Sequence, residues 1–128
     1  MSSTSVFKRF VPAIVGAEFE KNTERYLNKC GLRTVCRNYR CRGGEIDLVM
    51  ADGEFIVFVE VRYRRDHRHG TPFESITRVK QKRIIRAASH FLAVNPDFAE
   101  RPCRFDAVGV SYIDQRVQYD WITAAFST

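Results

Sequence analysis

The chain has 128 residues, 45% of them hydrophobic and 28% charged. That is an ordinary composition and one globular domain's worth of chain. No apolar run is long enough to cross a bilayer, so no membrane partner is expected. Twenty-one Lys and Arg against 15 Asp and Glu leave a net charge of +6, the balance of a protein that meets a polyanion or is simply kept soluble.

Residues 1–12 are expected to form a disordered tail. Lys8 and Arg9 precede only a short apolar patch, Phe10–Val15, too weak for a secretory signal. Cys30, Cys36, Cys41 and Cys103 are therefore expected as reduced thiols in a cytoplasm. Cys36 and Cys41 lack a second Cys/His pair at ligand spacing unless His67 and His69 join them, and read best as small hydrophobes.

The first periodic stretch is Gly16–Cys30, where Phe19, Tyr26, Leu27 and Cys30 recur at helical spacing and Gly31 suits the helix end. Leu32–Arg40 reads as an edge strand, punctuated by Gly43-Gly44. Glu45–Met50 and Phe55–Arg62 read as a hairpin about Asp52-Gly53, a pair that favours a type I′ turn. Tyr63–Pro72 is a charged loop. Arg78–Val94 is a helix capped by Thr77, with Ile84, Ile85, Ala88, Phe91 and Leu92 on one stripe. Asn95-Pro96 ends it. Arg104–Ser111 and Val117–Ile122 are two further strands turning at Asp114-Gln115. The order predicts an α/β fold with a mixed sheet of about five strands flanked by helices.

The chemistry concentrates in the hairpin. With Asp52-Gly53 as the loop, Ala51 pairs with Glu54, Asp47 faces Phe58 and Glu45 faces Glu60. Glu45, Asp47, Glu60 and Arg62 then share one sheet face, with Asp47 and Glu60 as diagonal neighbours. Phe55–Val59 is apolar on both faces, as in a strand covered on both sides. Carboxylates at the end of such a strand need a partner, and a hard divalent cation is the natural one. The bland alternative is a cross-strand charge lattice on an exposed face.

The run GGEIDLVMADGEFIVFVEVRYR, with SITRVKQKRI and CRFDAVGV after it, closely resembles the YraN family, a bacterial family grouped with Holliday-junction-resolvase-like nucleases of the PD-(D/E)XK superfamily. The resemblance extends from about Gly16 to Phe126. It implies the restriction-endonuclease-like core as a single domain over residues 1–128. It also implies a Mg²⁺- or Mn²⁺-dependent endonuclease hydrolysing DNA, in branched or recombination-intermediate forms. On it, Asp47, Glu60 and Glu20 are the expected metal ligands, Glu20 being chosen over Glu18 and Glu24. Arg62 stands where the superfamily has lysine, and Gln81 is placed to orient water or DNA. Arginine stays protonated, so Arg62 cannot serve as a base. A non-catalytic nucleic-acid-binding module with a degenerate site is the alternative. Arg42, Arg64, Arg65, Lys80, Lys82, Arg83 and Arg86 are the expected DNA contacts. Resolvase-like relatives are often homodimers, which the sequence leaves open.

Overall fold

A computed structural model describes residues 12–64 and 76–128. Helix α1 (Pro12–Lys29) is followed by strands β1 (Arg33–Cys41), β2 (Gly44–Asp52) and β3 (Phe55–Arg64). Helix α2 (Arg78–Val94) and a 3-10 turn (Pro96–Phe98) lead to β4 (Cys103–Ile113) and β5 (Arg116–Phe126). The five strands form one sheet in sequence order, with β1 and β5 at its edges. Among the described strands only β3 and β4 pair in parallel, because α2 carries the chain back between them. The mixed sheet of five strands with helices is thus the expected architecture. The expected tail lies outside the described residues apart from Pro12, as do Arg65, His67 and His69.

The sheet is covered on both faces. Ile46, Val49, Ile56, Phe58 and Phe105 pack under α2 through Ile84, Ala88 and Phe91. Leu48, Met50, Val57, Val59, Val108 and Val110 pack under α1 through Leu27. This explains why Ile56–Val59 is uniformly apolar: all four residues are fully buried. Helix α2 starts where expected, with the Thr77 hydroxyl accepting from the Lys80 amide at 3.2 Å. It lies very close to β2 at Gly44, where a Cβ would sit 2.2 Å from the Arg83 carbonyl oxygen and 3.0 Å from the Ala87 amide nitrogen.

The hairpin register differs from the expected one by two residues. Asp52 pairs with Phe55, and Leu48 with Val59. The loop is Gly53-Glu54, with Gly53 at φ 59°, as a type II′ turn requires of its first central residue. Asp52 is held in the strand from outside the hairpin, because its carboxylate accepts from the Arg104 guanidinium at 3.0 Å. A shift of two keeps the parity of the pairing over Leu48–Asp52. The turn at Asp114-Gln115 has positive φ at both positions, 51° and 65°, the type I′ geometry.

Candidate functional site

The regular alternation of β2 slips at Asp47. Ile46 belongs to the α2-side core and Leu48 to the α1-side core, although residues two apart in a strand share a face. Ladder pairing with β3 extends only as far as Leu48↔Val59. On the other flank, Asn38 falls between the pairs Arg37↔Leu48 and Tyr39↔Ile46 and adopts φ 51°, a left-handed conformation that Asn tolerates better than most residues. Both strands therefore bend at one level, and Asp47 lies in the slot where β2 parts from β3. Its Oδ2 accepts the Val61 amide at 2.8 Å, so a side chain replaces a ladder acceptor.

Three acids meet in this slot. Asp47 shares one hydrogen bond with Glu60 and another with Glu20. Glu60 is buried, and Glu20 and Asp47 are half-buried. Glu60 comes from β3 on the α2 side, and Glu20 comes from α1 on the opposite side. Burial, then the neighbouring Asp47, pushes the Glu60 carboxyl up to about 8. Burial, then Asp47 and Glu45, pushes Glu20 up to about 7. Burial raises Asp47 as well, while the Val61 amide and Glu60 favour its charge. All three carboxyls thus hold their protons more tightly than free side chains do.

Two cations sit on one oxygen of Glu60. Arg62 Nη1 lies 3.4 Å from Glu60 Oε2, and Lys80 Nζ approaches the same atom at 3.6 Å from α2. Gln81, one residue on, donates its side-chain amide to the Ile76 carbonyl at 3.1 Å, which ties it to the start of α2. Glu45 does not oppose Glu60 as the expected register had it. It pairs with Arg40 on β1 and faces Arg83 Nη2 at 3.8 Å. Glu24 is likewise engaged elsewhere: its carboxylate accepts from Arg37 at 2.7 Å and from Thr34 at 2.6 Å, and the Arg37 guanidinium holds it below the usual range.

Arg83 and Arg86 lie along α2 with Lys82, all exposed. Arg86 covers Gly43, whose added Cβ would lie 2.6 Å from Arg86 Nη1. This brings Arg86 beside Arg42 in the β1–β2 turn. The side chain of Arg64 and the whole of Arg65 fall outside the described residues.

Among the described residues no three His, Cys, Asp or Glu side chains converge on one point as a preformed cage. The acids instead form two pairs that share Asp47. An all-oxygen donor set of this kind suits a hard cation, and Mg²⁺ needs only one or two carboxylates because it keeps several waters. Asp47 and Glu60 meet that requirement, with Glu20 beside them. Cys36 and Cys41 have no such arrangement among the described residues, and all four cysteines are free thiols.

One buried acid was not foreseen. Asp106 on β4 is fully buried and accepts from Arg104 Nε at 3.1 Å, Trp121 Nε1 at 2.9 Å and the Ala124 amide at 2.9 Å. The signal was an Asp inside the apolar run Phe105–Val110.

The sequence profile of the Uncharacterised protein family UPF0102 matches residues 19–110. A UPF0102 protein of Chromohalobacter salexigens is 47% identical over 111 residues, covering 87% of this chain and 89% of its own length. One from Aeromonas hydrophila is 49% identical over 114 residues, covering 87% and 83%. A third, from Hahella chejuensis, is 42% identical over 122 residues and covers 94% of this chain and 97% of its own.

Proposed function

The chain belongs to the UPF0102 family, and from that premise and the geometry of the slot we propose that it is a divalent-cation-dependent endonuclease hydrolysing DNA phosphodiester bonds, with branched or recombination-intermediate DNA as its substrate. The observation that carries this reading is the trio itself: three acids share protons at a strand split, with two cations on the Glu60 edge. Like charges gathered under partial burial are costly, and a bound cation would relieve that cost.

Asp47 and Glu60 would hold Mg²⁺ or Mn²⁺, with Glu20 on a bound water or a second ion. When bound, the metal would polarise the phosphoryl oxygen and make water acidic enough to attack. Arg62 remains charged throughout, so it clamps the phosphate and takes no proton. Arg42, Lys82, Arg83 and Arg86 track the backbone away from the scissile bond. Such contacts carry affinity, and they weaken as salt displaces them. Gln81 buttresses the first turn of α2 and thereby the residue before it. No described helix is long and apolar enough to cross a membrane. The four free thiols fit a reducing cytoplasm.

The test is incubation of the purified protein with labelled four-way junction, flap, single-stranded and duplex DNA in Mg²⁺, Mn²⁺ or EDTA, beside Asp47→Ala and Glu60→Ala. Metal-dependent cleavage that both variants lose supports the reading and names the substrate. Binding without cleavage by the folded wild type would make the protein a nucleic-acid-binding module with a degenerate site.

A further inference from the structure

Lys80 does not sit with the other basic residues of α2. Lys82, Arg83 and Arg86 are exposed, whereas the Lys80 side chain is only 30% accessible and points to the buried Glu60. Three local features fix it there. Thr77 caps the helix through the Lys80 amide itself. Gln81 ties the first turn to Ile76. Gly44, lacking a Cβ, lets α2 settle onto β2 one helical turn further along. At 3.6 Å the ammonium is drawn to Glu60 by charge without a committed hydrogen bond to it. Its three N–H donors can therefore turn to another anion. Arg62 shares the same carboxylate oxygen from two residues along the strand. The slot thus has a lysine after all, supplied by a helix.

We propose that Lys80 is a catalytic residue whose ammonium binds a non-bridging oxygen of the scissile phosphate, beside the Arg62 guanidinium. This rests on the phosphodiesterase reading above. In the step it serves, the water oxygen forms its bond to phosphorus as the bond from phosphorus to the leaving sugar oxygen breaks. The attacking water releases a proton to solvent, and the leaving oxygen takes one from solvent. Lys80 neither gives nor takes a proton. It holds the negative charge that builds on the phosphoryl oxygens, the kind of interaction that acts on kcat more than on KM.

The experiment measures kcat and KM on whichever DNA the wild type cleaves, for Lys80→Ala, Lys80→Arg, Lys82→Ala and Arg83→Ala, with Mn²⁺ affinity recorded for each. Lys80→Ala is expected to lose about 10²–10³-fold in kcat with KM moved less than about threefold. Lys80→Arg should recover much of that loss with an unshifted pH profile, because only the charge is required. Lys82→Ala and Arg83→Ala should raise KM and flatten its salt dependence. Wild-type kcat in Lys80→Ala overturns the inference and leaves the nuclease reading intact. So does a Lys80→Ala defect that saturating Mn²⁺ repairs, since Lys80 would then act only through Glu60. A folded wild type that cleaves nothing overturns both.

Discussion

Asp47 and Asp106 are both aspartates set into apolar strands of one sheet, yet their surroundings are opposite. Asp106 is met by donors: a guanidinium, an indole N–H and a backbone amide, all within 3.1 Å. It is a closed unit that ties β4 to β5, and its ligand positions are filled by the protein. Asp47 is met by one amide and two other acids. Its lone pairs face groups that want the same thing it wants. Burial alone therefore does not mark a site in this fold. What sets Asp47 apart is that its neighbours are acids, the setting in which the proposed cation would relieve repulsion.

The comparison breaks most visibly through substitution to the isosteric amide. Asp106→Asn presents an NH₂ to a cluster of donors and takes from Arg104 the buried one of its two carboxylate partners, leaving Asp52. It should cost about 3–5 kcal/mol in urea denaturation, as removing one member of a buried ion pair does. Asp47→Asn keeps an acceptor for the Val61 amide and removes a repelling charge, so the metal-free fold should lose nothing or gain. Equal losses at the two positions would erase the distinction.

A smaller effect is expected at Gly44. Gly44→Ala forces a Cβ against the Arg83 carbonyl at 2.2 Å, and overpacking of this kind costs about 1–3 kcal/mol. The helix must move away from β2 to accept it, so cleavage should fall further than stability does.

The pH response is the mildest and the most diagnostic. Glu20 and Glu60 are raised from the ordinary 4.5 to about 7 and about 8, so the native state keeps protons that the unfolded chain has released. Their contribution to stability is fully present below about 4.5 and is lost as pH rises through about 7 and 8. The metal-free melting temperature should drop by a few degrees between pH 6 and 8.5. Mn²⁺ should restore more at pH 8.5 than at pH 6, because its ligands must be deprotonated. A metal-free melting temperature that rises across this window would contradict the assignment.

Much of this was legible in the sequence, for physical reasons. The hairpin brought Asp47 and Glu60 to one level, and a two-residue register shift kept the parity of the pairing, while the slip of β2 at Asp47 left no trace in the pattern. The shift itself was hidden because the contact that holds Asp52 in the strand comes from Arg104, 52 residues on. The choice of Glu20 over Glu18 and Glu24 came from the family resemblance, since three glutamates on one helix are not separable by spacing. Their fates became clear only once β1 placed Arg37 against Glu24 and β2 placed Asp47 against Glu20. Lys80 read as one more base on a basic helix face. Its inward turn depends on how closely α2 approaches β2, and the trace of that in the sequence was the doubled Gly43-Gly44.

Manganese binding at pH 8, followed by electron paramagnetic resonance on wild type and Asp47→Asn, tests the central claim most directly. The account predicts that the wild type takes up Mn²⁺ and that the variant binds it at least about tenfold more weakly, as losing a ligand should cause. A folded wild type that takes up none, or a variant that binds as tightly, would contradict the account and leave the trio as a strained but inert feature of the sheet.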